Sequence, residues 1–139
     1  MSRNLSPLLA LALAAVFAVG ACSGTDTGTG TDSGTATEAV RTVAAADAVG
    51  MLDERTVIDV RTPAEFAAGH VAGAINIDVE ASDFGENIAA LDPEDTYLVY
   101  CRSGRRSAIA ADTMAEAGFT DIVDAGGLEP LAEAGAPIE

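Results

Sequence analysis

Thr96-Tyr97-Leu98-Val99-Tyr100-Cys101-Arg102-Ser103-Gly104-Arg105-Arg106-Ser107 is the stretch from which the fold can be read. An apolar, aromatic-rich run ends at Cys101, a short loop holding Gly104 and three arginines follows, and Ser107 to Ala117 then reads as a helix closed by Gly118. Strand, tight loop and helix is an arrangement that presents unpaired backbone N–H groups and the positive end of a helix dipole to an anion. A thiol there, with cations beside it, is expected to ionise below its ordinary pKa and to react as thiolate.

Working outward, short β-branched runs alternate with helical patterns. Val40 to Val43 reads as an edge strand, and Asp47 as the N-cap of a helix over Ala48 to Glu54. Thr56 to Val60 reads as a buried strand, and Pro63 opens a short helix, Ala64 to Ala68, stopped by Gly69. Ala74 to Val79 is a further strand with Ile75 and Ile77 on one face, and Asp83 to Leu91 a helix. Asp121 to Asp124 is a last strand, then Gly126-Gly127 and a final helix around Leu128 to Ala134. Alternation of this kind predicts a three-layer α/β domain with a mainly parallel central sheet of about five strands. Ligands of such sheets bind beyond the carboxyl ends of the strands, where Cys101 falls.

The chain has 139 residues, 22 acids, seven arginines and no lysine, for a formal charge of -15. That balance argues against nucleic acid and against adhesion to anionic lipid headgroups. Three of the arginines, Arg102, Arg105 and Arg106, sit in the Cys101 loop, a local cationic cluster on an acidic protein.

The N-terminal segment differs in composition from the rest. Leu5 to Ala21 is nearly all Leu, Ala, Val and Phe after a single Arg3, the size of a secretory hydrophobic region and short for a spanning helix. Val19-Gly20-Ala21-Cys22 resembles the lipobox of bacterial lipoproteins. The resemblance implies cleavage before Cys22 and diacylglyceryl attachment to its sulfur; an ordinary signal peptide cut near Ala21, with Cys22 left free, is the alternative. Ser23 to Thr37 is Gly, Thr, Ser and Asp with one alanine, and reads as a solvated tether. The expected organisation is a signal peptide over 1–21, a lipidated Cys22 and tether over 22–38, and a domain over 39–139. Removal of Arg3 with the leader takes the charge from -15 to -16. The expected location is the extracytoplasmic face of the cell membrane, held by a lipid anchor.

With Cys22 lipidated, Cys101 is the one thiol remaining, so no intramolecular disulfide can form. His70 is the sole histidine, which leaves no Cys/His cluster for zinc, and no cofactor or metal is expected.

Ile58 to Phe66 (Ile-Asp-Val-Arg-Thr-Pro-Ala-Glu-Phe) followed by Gly69 to Ile77 (Gly-His-Val-Ala-Gly-Ala-Ile-Asn-Ile) resembles the first signature of rhodanese-like domains. Tyr100 to Ser107 resembles that family's active-site loop, and Gly126-Gly127-Leu128 its glycine pair near the end, without the tryptophan usual shortly after. The resemblance spans about Val40 to Ile138 and implies a rhodanese-like fold and a single-domain sulfurtransferase of the thiosulfate type.

The residues supply a chemical argument alongside. Thiosulfate is a small dianion whose terminal sulfur is open to a thiolate, so the site must hold an anion and keep a sulfur anionic. Inward-pointing N–H groups of a tight loop serve both needs. Cys101 is the expected nucleophile, releasing sulfite and becoming a persulfide that a thiophilic acceptor unloads. Arg102, Ser103, Gly104, Arg105 and Arg106 are the expected substrate-binding residues, with Arg106 lining the loop most directly and Arg102 at the entrance. Asp59 is expected to fix a loop by hydrogen bonds, Arg61 and Glu65 to pair across a helix start, and His70 to be a structural hydrogen-bonder. The expected partners are a small anionic sulfur donor and a cyanide, thiol or protein-thiol acceptor, with a monomer as the default state.

Two other classes compete with that reading. Thiol phosphatases and arsenate reductases need Cys, five residues, then Arg; here four residues separate Cys101 from Arg106, and position 107 is Ser. A non-catalytic binding or redox-sensing module is the other; degenerate members lose the loop Cys, and a sensor usually has a resolving Cys nearby.

Overall fold

The computed structural model describes residues 36–139, with side chains from Glu38 onward. The leader over 1–21, Cys22 and nearly all of the tether lie outside the described residues. A four-residue helix α1 (Ala36–Ala39) straddles the expected boundary between tether and domain.

Five strands form one sheet in the order β1-β5-β4-β2-β3, every neighbouring pair parallel. They are β1 (Val40–Thr42), β2 (Thr56–Asp59), β3 (Ile75–Asn76), β4 (Thr96–Cys101) and β5 (Asp121–Gly127). Helices α2 (Ala45–Val49), α3 (Pro63–Ala67), α4 (Phe84–Ala89), α5 (Arg105–Glu116) and α6 (Leu128–Glu133) connect and cover them. The α/β class, the parallel sheet and the strand count agree with the sequence reading.

Strand periodicity sorts the core into two layers. On β4, Tyr97, Val99 and Cys101 face one way, packing with Ile88 of α4, Ala110 and Met114 of α5, and Ile58 and Ile122 of the neighbouring strands. Leu98 and Tyr100 face the other way, into Ala48 of α2, Leu131 of α6, Val57 and Val123. Because β4 is the middle strand, both of its faces are covered, and Tyr97 through Cys101 are all buried. Cys101 thus stands at the carboxyl end of the central strand, on the α4/α5 face.

Local chemistry explains the start of α3 and the end of α5. Thr62 caps α3 with a capping box: its hydroxyl accepts from the Glu65 N–H, and the Glu65 carboxylate accepts from the Thr62 N–H. Gly118 follows α5 at φ +100°, the left-handed conformation that ends a helix.

Three expectations need correction. Asp47 is not an N-cap: α2 begins at Ala45, Asp47 lies in its first turn, and a separate 3-10 turn covers Leu52–Glu54. Gly50 closes the first piece, so the helical pattern breaks in two. The strand over Ala74 to Val79 shrinks to Ile75–Asn76; Ile77 is buried while Ile75 is exposed, since pairing with β2 stops before the period can continue. Helix α5 begins at Arg105, so Arg105 and Arg106 belong to its first turn.

Candidate active site

Cys101 is fully buried under the turn that joins β4 to α5. Gly104, the N-cap of α5, holds φ +94°, and its N–H donates to the Cys101 sulfur at 3.0 Å. Only glycine adopts that backbone without strain. Burial alone would push the thiol pKa up. The N–H groups of Ser107 and Ser103, the Ser107 hydroxyl and the Gly104 N–H outweigh it and hold the thiol below its ordinary value. The Ser107 hydroxyl also donates to the Gly104 carbonyl at 3.0 Å, tying the first turn of α5 to the loop.

The end of β5 forms the far wall. Val99 pairs with Asp124 but Cys101 with Gly127, so two residues of β4 oppose three of β5 and the ladder bulges beside the thiol. Gly126 takes φ +77° in the bulge, its N–H donating to Asp124 Oδ1 at 3.0 Å. A side chain on Gly127 would place its Cβ 2.8 Å from the Arg102 carbonyl oxygen. The glycine pair is therefore what lets the loop lie down on the sheet end.

The three loop arginines separate. Arg106 is held by Glu65 through two hydrogen bonds (2.7 and 2.8 Å) and by Glu80 at 3.2 Å. It braces α5 against α3 and does not line the loop most directly, as its position in the motif suggests. Arg106 drives the Glu65 carboxyl down to about 2, and the Glu65 carboxylate raises the Arg106 pKa in turn. Arg102 and Arg105 are exposed and form no ion pair among the described residues. These two are the loop's uncommitted cations, while the thiol itself is held down by N–H groups and the Ser107 hydroxyl.

The supporting residues also rearrange. Arg61 pairs with Asp59 and not with Glu65: its Nε and terminal nitrogen reach both Asp59 oxygens, as close as 2.6 Å, and the same nitrogen meets the Gly69 carbonyl at 2.7 Å. The turn after β2 folds the Arg61 side chain back onto the strand end, which a helical i,i+4 spacing does not anticipate. Asp59 also accepts from the Arg61 N–H and the Tyr100 hydroxyl (2.7 Å), fixing the turn. His70 stacks on Phe66 with ring centroids 3.6 Å apart, and its Nδ1 lies 3.0 Å from the Phe66 carbonyl. Its backbone exchanges two 2.9 Å hydrogen bonds with Glu139, next to a bridge between Val71 and Ile138.

Sequence reasoning passed over Tyr100, Ser107 and Glu80. Tyr100 precedes Cys101 and packs on the opposite face of the strand. A buried Tyr hydroxyl needs a partner, and that was the available signal. Beside the loop, a cleft of about 620 Å³ opens between Arg102, Ser103, Arg61 and the start of α6. Among the described residues no group of three or more His, Cys, Asp or Glu side chains could hold a metal, and no helix is long and apolar enough to cross a membrane.

A parallel three-layer sheet with one thiol cradled by N–H donors beyond its central strand defines an α/β domain built around an anion-stabilising cysteine loop. The chain belongs to the rhodanese-like domain family, whose sequence model matches residues 44–133. It is 43% identical over 72 residues to the Escherichia coli thiosulfate sulfurtransferase PspE, covering 50% of this chain and 67% of that protein. It is 37% identical over 87 residues to thiosulfate sulfurtransferase 16 of Arabidopsis thaliana chloroplasts, covering 55% and 72%. The crystal structure of a rhodanese-related protein from Thermoplasma volcanium superposes with a TM-score of 0.64 at 33% identity, covering 71% of this chain and 97% of that one.

Proposed function

We propose that this protein is a thiosulfate-type sulfurtransferase that carries sulfane sulfur as a persulfide on Cys101. The observation that carries this reading is the burial of Cys101 under N–H groups that lower its thiol pKa. The thiolate attacks the terminal sulfur of the donor, the donor S–S bond breaks, sulfite leaves with the electron pair, and Cys101–S–S⁻ remains. Inward N–H groups neutralise the added sulfur, while Arg102 and Arg105 attract the dianion. A thiophilic acceptor then removes the outer sulfur and regenerates the thiolate. The names of the Escherichia coli and Arabidopsis thaliana relatives, both thiosulfate sulfurtransferases, support the donor class.

The full chain incubated with thiosulfate should gain the mass of one sulfur atom on the Cys101 peptide and release sulfite. Cys101→Ser should do neither. Absence of the gain with thiosulfate and with polysulfide sinks the enzyme reading, and leaves a binding or sensing module.

The same proposal places the domain outside the cytoplasmic membrane, tethered through a lipidated Cys22. What supports it is the apolar Leu5 to Ala21 segment ending in Val19-Gly20-Ala21-Cys22, with a polar tether beyond. The wild-type protein should partition into detergent and Cys22→Ala into the aqueous phase; equal partitioning of both would refute the anchor.

A further inference from the structure

Arg61 is held on two of its three nitrogens and left open on the third. Its side chain is 6% exposed; Nε and Nη2 donate to Asp59, and Nη2 also to the Gly69 carbonyl. Nη1 has no such bond, yet among the described residues no buried side-chain nitrogen or oxygen lacks a partner. Nη1 is therefore the part of the guanidinium that surfaces, and the surface Arg61 lines is the cleft of about 620 Å³. A guanidinium fixed by a carboxylate on one side and open on the other is a preorganised partner for an anionic group.

Two charges of opposite sign stand near it without meeting. Arg102 of the loop and Glu129 in the first turn of α6 both line the cleft and are exposed. Neither forms an ion pair among the described residues. Their main chains are neighbours, since a Cβ on Gly127, two residues before Glu129, would lie 2.8 Å from the Arg102 carbonyl oxygen. The cleft's other carboxylate, Glu65, is engaged by Arg106. Leu128 and Ala132 of α6, with Ile138, supply carbon. Ile138 is 45% exposed, but its backbone is pinned by the bridge to Val71 and by the paired hydrogen bonds between His70 and Glu139. The apolar wall is therefore preformed. Cys101 is buried and does not line this space.

We propose that the cleft binds a small zwitterion, an α-amino acid with an apolar side chain, as a ligand and not as a sulfur donor or acceptor. The ligand carboxylate accepts from Arg61 Nη1 and from Arg102, its ammonium donates to Glu129, and its side chain covers Leu128, Ala132 and Ile138. The volume falls in the range of small-molecule sites. The charges balance as well. Arg61 with Asp59 and Arg106 with Glu65 are each neutral, and Arg102 offsets Glu129. A ligand without net charge matches that lining and escapes the repulsion that a chain of charge -15 exerts on a plain anion. No bond to Cys101 forms or breaks, so this site stands apart from the sulfurtransferase reading.

The test titrates the 15N-labelled full chain with L-leucine, without any sulfur donor, and follows the backbone amides by NMR. Those of Ser103, Leu128 and Glu129 should shift saturably. 4-Methylpentanoate, which lacks the ammonium, should bind about threefold or more weakly than leucine. Isopentylamine, which lacks the carboxylate, and alanine, which has less carbon to bury, should each bind about tenfold more weakly. Glu129→Gln should erase the preference for leucine over 4-methylpentanoate while 4-methylpentanoate still binds, a pattern that loss of structure does not produce. Equal affinity for leucine and any of the three analogues overturns the assignment, as does the absence of saturable shifts at those amides. An unchanged preference in Glu129→Gln overturns it too. If that variant does not fold, Arg102→Gln decides: it should weaken leucine and 4-methylpentanoate alike, and unchanged binding of both overturns the site. None of these outcomes bears on persulfide formation at Cys101.

Discussion

Arg106, in the first turn of α5, grips Glu65 of α3 through paired hydrogen bonds of 2.7 and 2.8 Å, so a loop arginine serves as the clamp between two helices. Glu65 also closes the α3 capping box, and one carboxylate therefore joins the first signature motif to the cysteine loop.

That clamp should make the fold acid-sensitive. The Glu65 carboxyl is lowered from 4.5 to about 2, chiefly by Arg106. A depressed carboxyl contributes stability fully present above its unfolded pKa and lost as pH falls through the folded one. The contribution should thus be complete above pH 4.5 and vanish toward about 2. Glu65→Gln should cost about 1–2 kcal/mol at neutral pH, discounted for partial solvent screening. Its urea midpoint should converge with wild type below that window; parallel profiles would contradict the assignment.

Thiol chemistry gives a second check. Alkylation of Cys101 against pH should show a midpoint below that of an ordinary exposed thiol measured alongside, because N–H donors outweigh burial. Ser107→Ala removes one donor and should move that midpoint upward, with about 1 kcal/mol of stability lost. A midpoint at or above the ordinary value in wild type would refute the cradle.

Gly127 tests close approach without backbone strain, since its φ of -108° suits any residue. A Cβ would meet the Arg102 carbonyl oxygen at 2.8 Å, so Gly127→Ala should destabilise by about 1–3 kcal/mol and slow persulfide formation by displacing the loop. Gly104→Ala meets only ordinary contact with the Gly126 backbone at 3.6 Å and should cost about 1–2 kcal/mol through its φ of +94°. Thermal melts of the two variants, with persulfide rates beside them, separate the causes.

Tyr100→Phe should separate stability from reactivity. The Tyr100 hydroxyl donates to Asp59 and accepts from the buried Val71 N–H at 2.9 Å. Its removal orphans that N–H and should cost about 1–3 kcal/mol. The ring faces away from Cys101, so the alkylation profile should stay in place. A shifted profile would place Tyr100 in the thiol's environment.

Most of this architecture was legible because it is local. The run from Thr96 to Cys101 has strand chemistry on both faces, Thr62-Pro63 with Glu65 announces a helix start, and the cysteine, Gly104 and arginines lie within one heptapeptide. What escaped depends on tertiary placement. Glu65 and Arg106 meet only because α3 and α5 flank the same sheet end, so spacing along the chain assigned Glu65 the wrong partner. Arg61 found Asp59 because the chain turns back sharply after β2. The β4/β5 bulge is a property of two strands together, and neither one spells it out. The wall formed by Ile138 depends on a bridge to Val71 that no periodicity foretells.

The strand order has a consequence in time as well as in space. The first strand, β1, pairs only with β5, Val40 standing opposite Ile122, so the sheet cannot close until nearly all of the chain has been made. Such long-range pairing is slow to nucleate, since loop closure precedes any reward in contacts. A chain interrupted before β5 would therefore be no smaller version of the domain. It would leave β1 without its neighbour, β4 with one flank open, and Cys101 without the Gly127 wall against which its loop is shaped. Reactive thiol and finished fold should emerge together, in the last step.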